Sequence, residues 1–371
     1  MMNNKKARVI AFYLPQFHPI PENDEWWGKG FTEWTNVSKA KPLFKGHYQP
    51  RIPADLGYYD LRVPEVREQQ AQMAREAGIE GFMYWHYWFG NRKRLLERPF
   101  EEVLASGQPN FPFCLGWANH SWANKTWSPK NQYQKSETLI KQLYLGEDDY
   151  RSHFSCVLPA FKDKRYIRIN DKPVFYIYDP LAFKDVKLFI DIWQQLAKDH
   201  GFNGLYFIGQ AHWNSDCEQI LRLNFDGVAR IGIYDAAEKI NGKTINIIKR
   251  KMKRYFRFLM LQKYDYADIV DNLIVPLLDK QENIFPTILP NFDHSPRSGK
   301  SGVMYLNSTP DLFKKLIRQA LQAIESKNDE HKIIFLRSWN EWGEGNYIEP
   351  DLKFGHGYLN AIKGVISHND I

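Results

Sequence analysis

Eight apolar runs of strand length, separated by longer amphipathic stretches, constrain the fold of this 371-residue chain more than any other feature. They are Val9–Leu14, Gly81–Tyr87, Phe113–Trp117, Val174–Tyr178, Leu205–Gly209, Gly227–Ile231, Thr287–Leu289 and Ile333–Arg337. Eight is the number of strands that closes a parallel barrel. Helical patterns fill the intervals: Pro64–Ala77, Pro99–Ser106, Asp148–Phe161, Val186–His200, Ser215–Leu223, Ala267–Leu278, Pro310–Ser326 and Tyr358–Ser367. The first has acids near its start and Gly78 past its end, as helix polarity prefers. No Gly/Ser linker, low-complexity block or short repeat breaks the alternation. The expectation is an α/β chain, one catalytic (β/α)8 TIM barrel over residues 1–371, with long loops after strands one, three and six forming a cleft. A basic aromatic insertion is expected around residues 240–266.

Aromatic residues make up 15% of the chain, more rings than a core needs, so some are expected to line a binding cleft. Met1–Arg8 is polar and basic and leads into an apolar run too short for a signal peptide. No stretch approaches 18 uncharged apolar residues. Cys114, Cys156 and Cys217 are far apart and odd in number, which fits reduced thiols. These features set a cytoplasmic location as the expectation. The net charge of +7 is concentrated in Lys249–Lys263, which carries seven cations and no acid among rings and aliphatics. Such a segment can make peripheral contact with an anionic inner-membrane surface, or be a solvated helix on the barrel. No nucleic-acid motif accompanies it.

The clearest chemical signal follows the last strand. Arg337-Ser338-Trp339-Asn340-Glu341-Trp342-Gly343-Glu344-Gly345 places two carboxylates three residues apart among indoles and glycines. Glycosidic bond chemistry needs one carboxyl to protonate the leaving oxygen and a second group to act at the anomeric centre. Tryptophans offer faces for a sugar ring and raise nearby carboxyl pKa values by excluding water. The competing reading is a pair of solvated loop glutamates.

Barrel enzymes build their sites at the C-terminal strand ends, where this chain concentrates polar and aromatic residues. The candidate substrate contacts are Tyr13, Gln16, His18 and Trp34 after strand one, Tyr84, His86 and Trp88 on strand two, and Trp117 and Asn119 on strand three. Tyr178, Gln210, Asp293, Arg297, Trp339 and Asn340 follow from later strands. Neutral hydrogen-bonding groups mixed with rings suit an oligosaccharide or polysaccharide. Neither carboxylate reading requires a metal or cofactor, and His18, His86, His120 and His212 match no ligand spacing.

These blocks resemble the WbsX-type family of bacterial polysaccharide clusters. The opening Phe12-Tyr13-Leu14-Pro15-Gln16-Phe17-His18-Pro19, Trp26-Trp27-Gly28 and Phe31-Thr32-Glu33-Trp34-Thr35-Asn36-Val37 carry the resemblance. So do Gly81–Phe89, Trp117-Ala118-Asn119, Phe292–Arg297 and Trp339–Gly345. That family is usually labelled glycosyltransferase, tied to O-antigen or capsule synthesis, and is similar in pattern to glycoside hydrolase family 99, retaining endo-α-mannosidases and endo-α-mannanases on a (β/α)8 barrel. The resemblance implies that Glu341 deprotonates the substrate 2-hydroxyl, which attacks the anomeric carbon to give an anhydro-sugar, and that Glu344 is general acid and then base. Gly343 departs from the hydrolases, which commonly carry His there. Glu349, in Tyr347-Ile348-Glu349-Pro350, reads as a structural hydrogen-bond acceptor.

Three functions stay open. The first is a retaining glycan-cleaving or transglycosylating enzyme. The second is a transferase adding a sugar to a lipid-linked or growing polysaccharide, and the third, weaker, is a glycan-binding protein. For a nucleotide-sugar transferase the chain lacks a Gly-rich doubly wound turn and a well-placed Asp-x-Asp. A polyprenyl-phosphate donor would meet that objection.

Overall fold

The computed structural model describes residues 6–123, 137–242 and 261–367. At its centre is a closed ring of parallel strands: β1 (Arg8–Tyr13), β2 (Gly81–Trp88), β3 (Phe113–Trp117), β4 (Lys172–Ile177), β5 (Tyr206–Ala211), β6 (Gly227–Arg230), β7 (Ile284–Ile288) and β8 (Ile333–Leu336). Each pairs with its neighbours in chain order, and β1 pairs with both β2 and β8, which closes the barrel. All eight expected strands are present. The largest boundary change is at β7, which starts at Ile284 and not at Thr287: Pro286, a residue that argues against a central strand, lies within it opposite Arg230.

Around the ring lie α1 (Pro64–Glu76), α2 (Arg98–Ser106), α3 (Glu147–Lys162), α4 (Val186–Asp199), α5 (Asp216–Leu221), α6 (Tyr266–Leu273), α7 (Pro310–Ile324) and α8 (Gly357–Ile366). The helix expected over Ala267–Leu278 is instead two, α6 and the turn Pro276–Asp279. Pro276 lacks the N–H that would continue α6 and takes the first position of the next turn. Of the expected basic insertion, residues 243–260 lie outside the described residues. Its end, Gln262–Asp265, is a strand paired in parallel with Val303–Leu306, and the Lys263 ammonium lies 4.3 Å from the Phe44 ring centroid. Among the described residues no helix is long and apolar enough to cross a membrane.

Alternate side chains of each strand point into the barrel or out towards the helices. Inside, Phe12 meets Trp85, Tyr176 and Phe335 at centroid distances of 5.2, 5.4 and 5.6 Å. A methyl on Gly116 would come within 2.8 Å of the Met83 sulfur, so that inner layer needs a glycine on β3. Outside, Tyr84 packs on Phe100 of α2 and Trp117 on Phe189 of α4. Burying one large ring stabilises by roughly 1.5–3 kcal/mol, so a one-residue slip that exchanged the two faces would be costly.

Candidate active site

Beyond β8 the chain forms a small hairpin in which Asn340 pairs with Tyr347 and Glu341 with Asn346. A tight turn, Trp342–Glu344, joins its arms and projects the second carboxylate beside the first. Asn340 fixes the hairpin to β1, accepting from the Leu14 N–H at 2.8 Å and donating to the Leu14 carbonyl at 3.0 Å. The Ser338 hydroxyl donates to the Asn346 carbonyl and accepts from the Glu341 N–H. Trp342 lies flat on Tyr347 at 3.6 Å. The carboxylates are thus held by a buried support.

Arg297 organises them. Its Nε donates to Glu33 at 2.9 Å, Nη1 to Glu344 at 2.7 Å and Nη2 to Glu341 at 2.6 Å. Arg297 is itself placed by Asp293, whose carboxylate accepts from the Ser295 N–H at 3.0 Å and from Gln49 at 2.7 Å. His47 Nε2 lies 2.8 Å from the same carboxylate, and the Asp293 N–H donates to the Glu344 carbonyl. Burial works against an ionised Asp293, but His47, Arg51, Ser295 and Gln49 outweigh it and hold its pKa below the ordinary range.

The two catalytic candidates are driven apart. Burial pushes Glu341 up to about 7, with Glu344 and Glu33 adding to the rise and Arg297 opposing it. Burial acts on Glu344 too, yet Arg297, His294 and Arg337 hold its pKa well below the usual carboxylate range. Below about pH 7 a proton held by the pair sits on Glu341 in preference to Glu344. Two carboxyls with separated pKa values are what an acid–base pair requires.

Both line a cavity of about 320 Å³ at the C-terminal end of the barrel. Its lining includes the rings of Trp27, Phe31, Trp85, Tyr87 and Trp122 and the polar groups of His294, Arg297 and Arg337. Phe12 and Trp85 bring the inner aromatic layer into the lining, and beneath them the Tyr176 hydroxyl donates to Gln210 at 2.9 Å. Rings together with charged and polar groups in such a space fit a sugar, which has both an apolar face and hydroxyls.

The family model for glycosyltransferase WbsX matches residues 9–362. The chain belongs to the WbsX family. A curated relative, the uncharacterised protein WxcX of Xanthomonas campestris pv. campestris, is 34% identical over 365 residues, covering 97% of this chain and 50% of the relative. The chain therefore spans about half the length of the curated relatives it matches. Among solved structures, a glycoside hydrolase-like protein superposes with a TM-score of 0.63 at 17% identity, covering 99% of this chain and 96% of the other. The family 99 endo-α-mannosidase of Bacteroides thetaiotaomicron, in complex with Bis-Tris propane, gives 0.59 at 15% identity, with 97% and 96% covered. At such identities the likeness is one of fold, and it agrees with the (β/α)8 barrel.

In this WbsX chain the cavity gathers Gln16, Tyr178, Gln210, Arg297, Glu341 and Glu344 of the residues expected from sequence. Asp293 is buried behind it, and Asn340 and Trp339 are wholly buried in the support. The remaining expected contacts do not line the cavity. Tyr13 points outward and donates to Gln70 of α1, and Tyr84 also points outward. His86 faces His153 of α3 at 2.9 Å, and burial lowers its pKa to about 3. Trp88 donates to Asp149 and Trp117 to the Trp88 carbonyl. Asn119 bonds Tyr144 and the Asp179 backbone, His18 lies within hydrogen-bond distance of the Pro15 carbonyl, and Trp34 donates to the Tyr59 carbonyl. On β2 and beyond β3 the cavity instead receives the alternate residues, Trp85, Tyr87, Ala118 and His120. Of the four scattered histidines, His120 and His212 flank Tyr178 while His18 and His86 lie elsewhere.

Glu33 was not among the expected contacts, and it explains the glycine that departs from the hydrolases. A Cβ on Gly343 would fall 1.6 Å from Glu33 Oε1 and 3.0 Å from Arg297 Nε. The space beside Glu344 is filled by an ion pair from two other loops. Glu349 accepts from Trp342, Gln70 and Tyr59 and has no place in the cavity lining.

Proposed function

We propose that this chain acts with retention on a glycosidic bond of bacterial surface polysaccharide, O-antigen or capsule, using Glu341 and Glu344. The observation that carries the reading is the pair bridged by Arg297 in a ring-lined cavity, with surroundings that push the two carboxyl pKa values apart. WbsX membership supports carbohydrate-active chemistry in polysaccharide biosynthesis. One carboxyl gives its proton to the leaving oxygen, and its partner acts as base or stabilises the charge that develops at the anomeric carbon. The resting charges favour Glu341 as proton donor. The family 99 resemblance implies the reverse, which would require substrate to draw Arg297 away from Glu344. An α-mannoside-like bond is the substrate implied by that resemblance.

Transfer is the second reading, favoured by the family's description. It differs in the final acceptor, a sugar hydroxyl of a lipid-linked or growing chain in place of water. A single catalytic domain in the cytoplasm, touching the inner membrane through Lys249–Lys263, belongs to this proposal. The deciding experiment incubates wild type and Glu344→Gln with the producing organism's polysaccharide and lipid-linked oligosaccharides in oxygen-18 water, followed by mass spectrometry. Label in a new reducing end with wild type only would establish hydrolysis. Lengthened or rearranged chains without label would establish transfer. Unchanged glycans that still bind would leave a glycan-binding protein.

A further inference from the structure

The two arginines of the cavity have different amounts of work. Arg297 uses all three of its nitrogens on carboxylates. Arg337, leaving β8 into the cavity, has a single and longer carboxylate contact, Nη2 to Glu344 at 3.3 Å. Its guanidinium carbon lies over the Phe292 ring, 5.4 Å from the centroid, a contact that uses none of its N–H donors. Among the described residues its Nε and Nη1 have no hydrogen-bond partner. Glu344 cannot serve as its full counter-ion, because Arg297 binds that carboxylate at 2.7 Å and His294 approaches it at 3.6 Å. A guanidinium offers five donors in a planar fork that matches a carboxylate or a phosphate, and few neutral sugar groups use it fully.

We propose that Arg337 is the recognition residue for an anionic group, a carboxylate or phosphate, on the glycan beside the reacting bond. This rests on the glycan reading of the cavity and narrows it to acidic substrates. The neighbours fit: Gln210 and Tyr178 line the same cavity and supply neutral hydrogen bonds for the rest of the sugar, and Trp85, 5.8 Å from Tyr178 between ring centroids, offers an apolar face beside them. Arg297 donates to both Glu33 and Glu344, which weakens their repulsion of the incoming charge.

The test measures binding, so it does not depend on turnover. Labelled glycan from the producing organism is prepared intact, with its carboxyl groups reduced to alcohols, and with its phosphates removed by cold aqueous hydrofluoric acid. Dissociation constants are compared for wild type, Arg337→Gln and Arg337→Lys, with thermal melting to verify folding. Wild type should bind the intact glycan at least about tenfold more tightly than one of the treated forms, the gain of a charge-assisted contact. That preference should collapse towards one in Arg337→Gln and survive in part in Arg337→Lys. Loss on carboxyl reduction identifies a uronate-like sugar, and loss on phosphate removal identifies a phosphorylated one. Equal binding of all three forms by wild type, or a preference unchanged in Arg337→Gln, overturns the inference while leaving the glycan reading intact. Wild type that binds none of them overturns both.

Discussion

Two buried glutamates eight positions apart, Glu341 and Glu349, have raised pKa values for the same first reason and are put to different uses. Burial pushes each up to about 7. Glu349 is then surrounded by neutral donors: Trp342 Nε1 at 2.6 Å, Gln70 at 2.6 Å and the Tyr59 hydroxyl at 2.9 Å. Glu341 has an open side on the cavity, a cation at 2.6 Å and two carboxylates sharing that cation. A raised carboxyl pKa therefore does not by itself mark a catalytic group. What separates the two is access to a ligand and a charged partner whose bonds can be redistributed when substrate arrives.

The comparison is most directly broken at the cavity end. Glu344→Gln should lower turnover on a proven substrate by at least about a hundredfold, as loss of an acid or base typically does, with folding intact. Glu341→Gln should act similarly. Survival of activity in either would remove that residue from the chemistry. The pH profile then counts the protons of the working pair. If one carboxyl acts protonated and the other ionised, kcat/KM falls as pH rises through about 7, where the pair loses its proton. The fall is the same whichever glutamate is the donor, because both assignments use the singly protonated pair. A substrate with a good leaving group tells them apart, since it should rescue the variant that lacks the acid and not the one that lacks the base.

A smaller effect is expected from crowding the ion pair beside Glu344. Gly343→Ala places a methyl where Glu33 Oε1 now lies, so Glu33 or the turn must move. Overpacking of this kind costs about 1–3 kcal/mol, and here the strain falls on Arg297's contacts. Turnover should drop by about tenfold. Adding Glu33→Ala should make the combined loss less than the product of the single losses, since both changes act through one contact. Fully multiplicative losses would show that Glu33 and Gly343 act independently.

The barrel was legible because eight apolar runs alternate with helical patterns, and closure follows from their number. The glutamate pair was legible because its residues are contiguous. The orientation of side chains on β2 was not. Gly81-Phe82-Met83-Tyr84-Trp85-His86-Tyr87-Trp88 is apolar or aromatic on both faces, so alternation gave no polar contrast to tell Tyr84, His86 and Trp88, which face the helices, from Trp85 and Tyr87, which face the cavity. The same ambiguity moved attention to Trp117 and Asn119 in place of Ala118 and His120. At Tyr178 and Gln210 the expectation and the cavity agree. Glu33 and Arg297 lie 264 positions apart, and no local pattern reports such a pair. Gly343 was the available hint, a residue without a side chain next to a carboxylate that needs a neighbour.

The support below the cavity should respond in stability more than in rate. Glu349→Gln replaces a protonated carboxyl, which already turns one O–H towards a donor, with an amide that turns a bulkier N–H₂ there, at a cost of up to about 1 kcal/mol and a melting temperature at most a few degrees lower. Turnover well below that temperature should stay within about threefold of wild type. The sign of the pH effect follows from the raised pKa. The folded state keeps a proton that the unfolded chain loses near 4.5, so this contribution is complete below 4.5 and is lost as pH rises through about 7. Glu349→Gln should flatten the fall in melting temperature across that interval without abolishing it, because Glu341 titrates in the same window. The smallest effect belongs to Glu101→Gln on α2, where a half-exposed carboxylate pairs with Arg94. Such surface pairs contribute at most about 1 kcal/mol, so melting and turnover should both match wild type. A large loss there would mean that acidic residues far from the cavity matter as much as those inside it, and the contrast between Glu341 and Glu349 would lose its meaning.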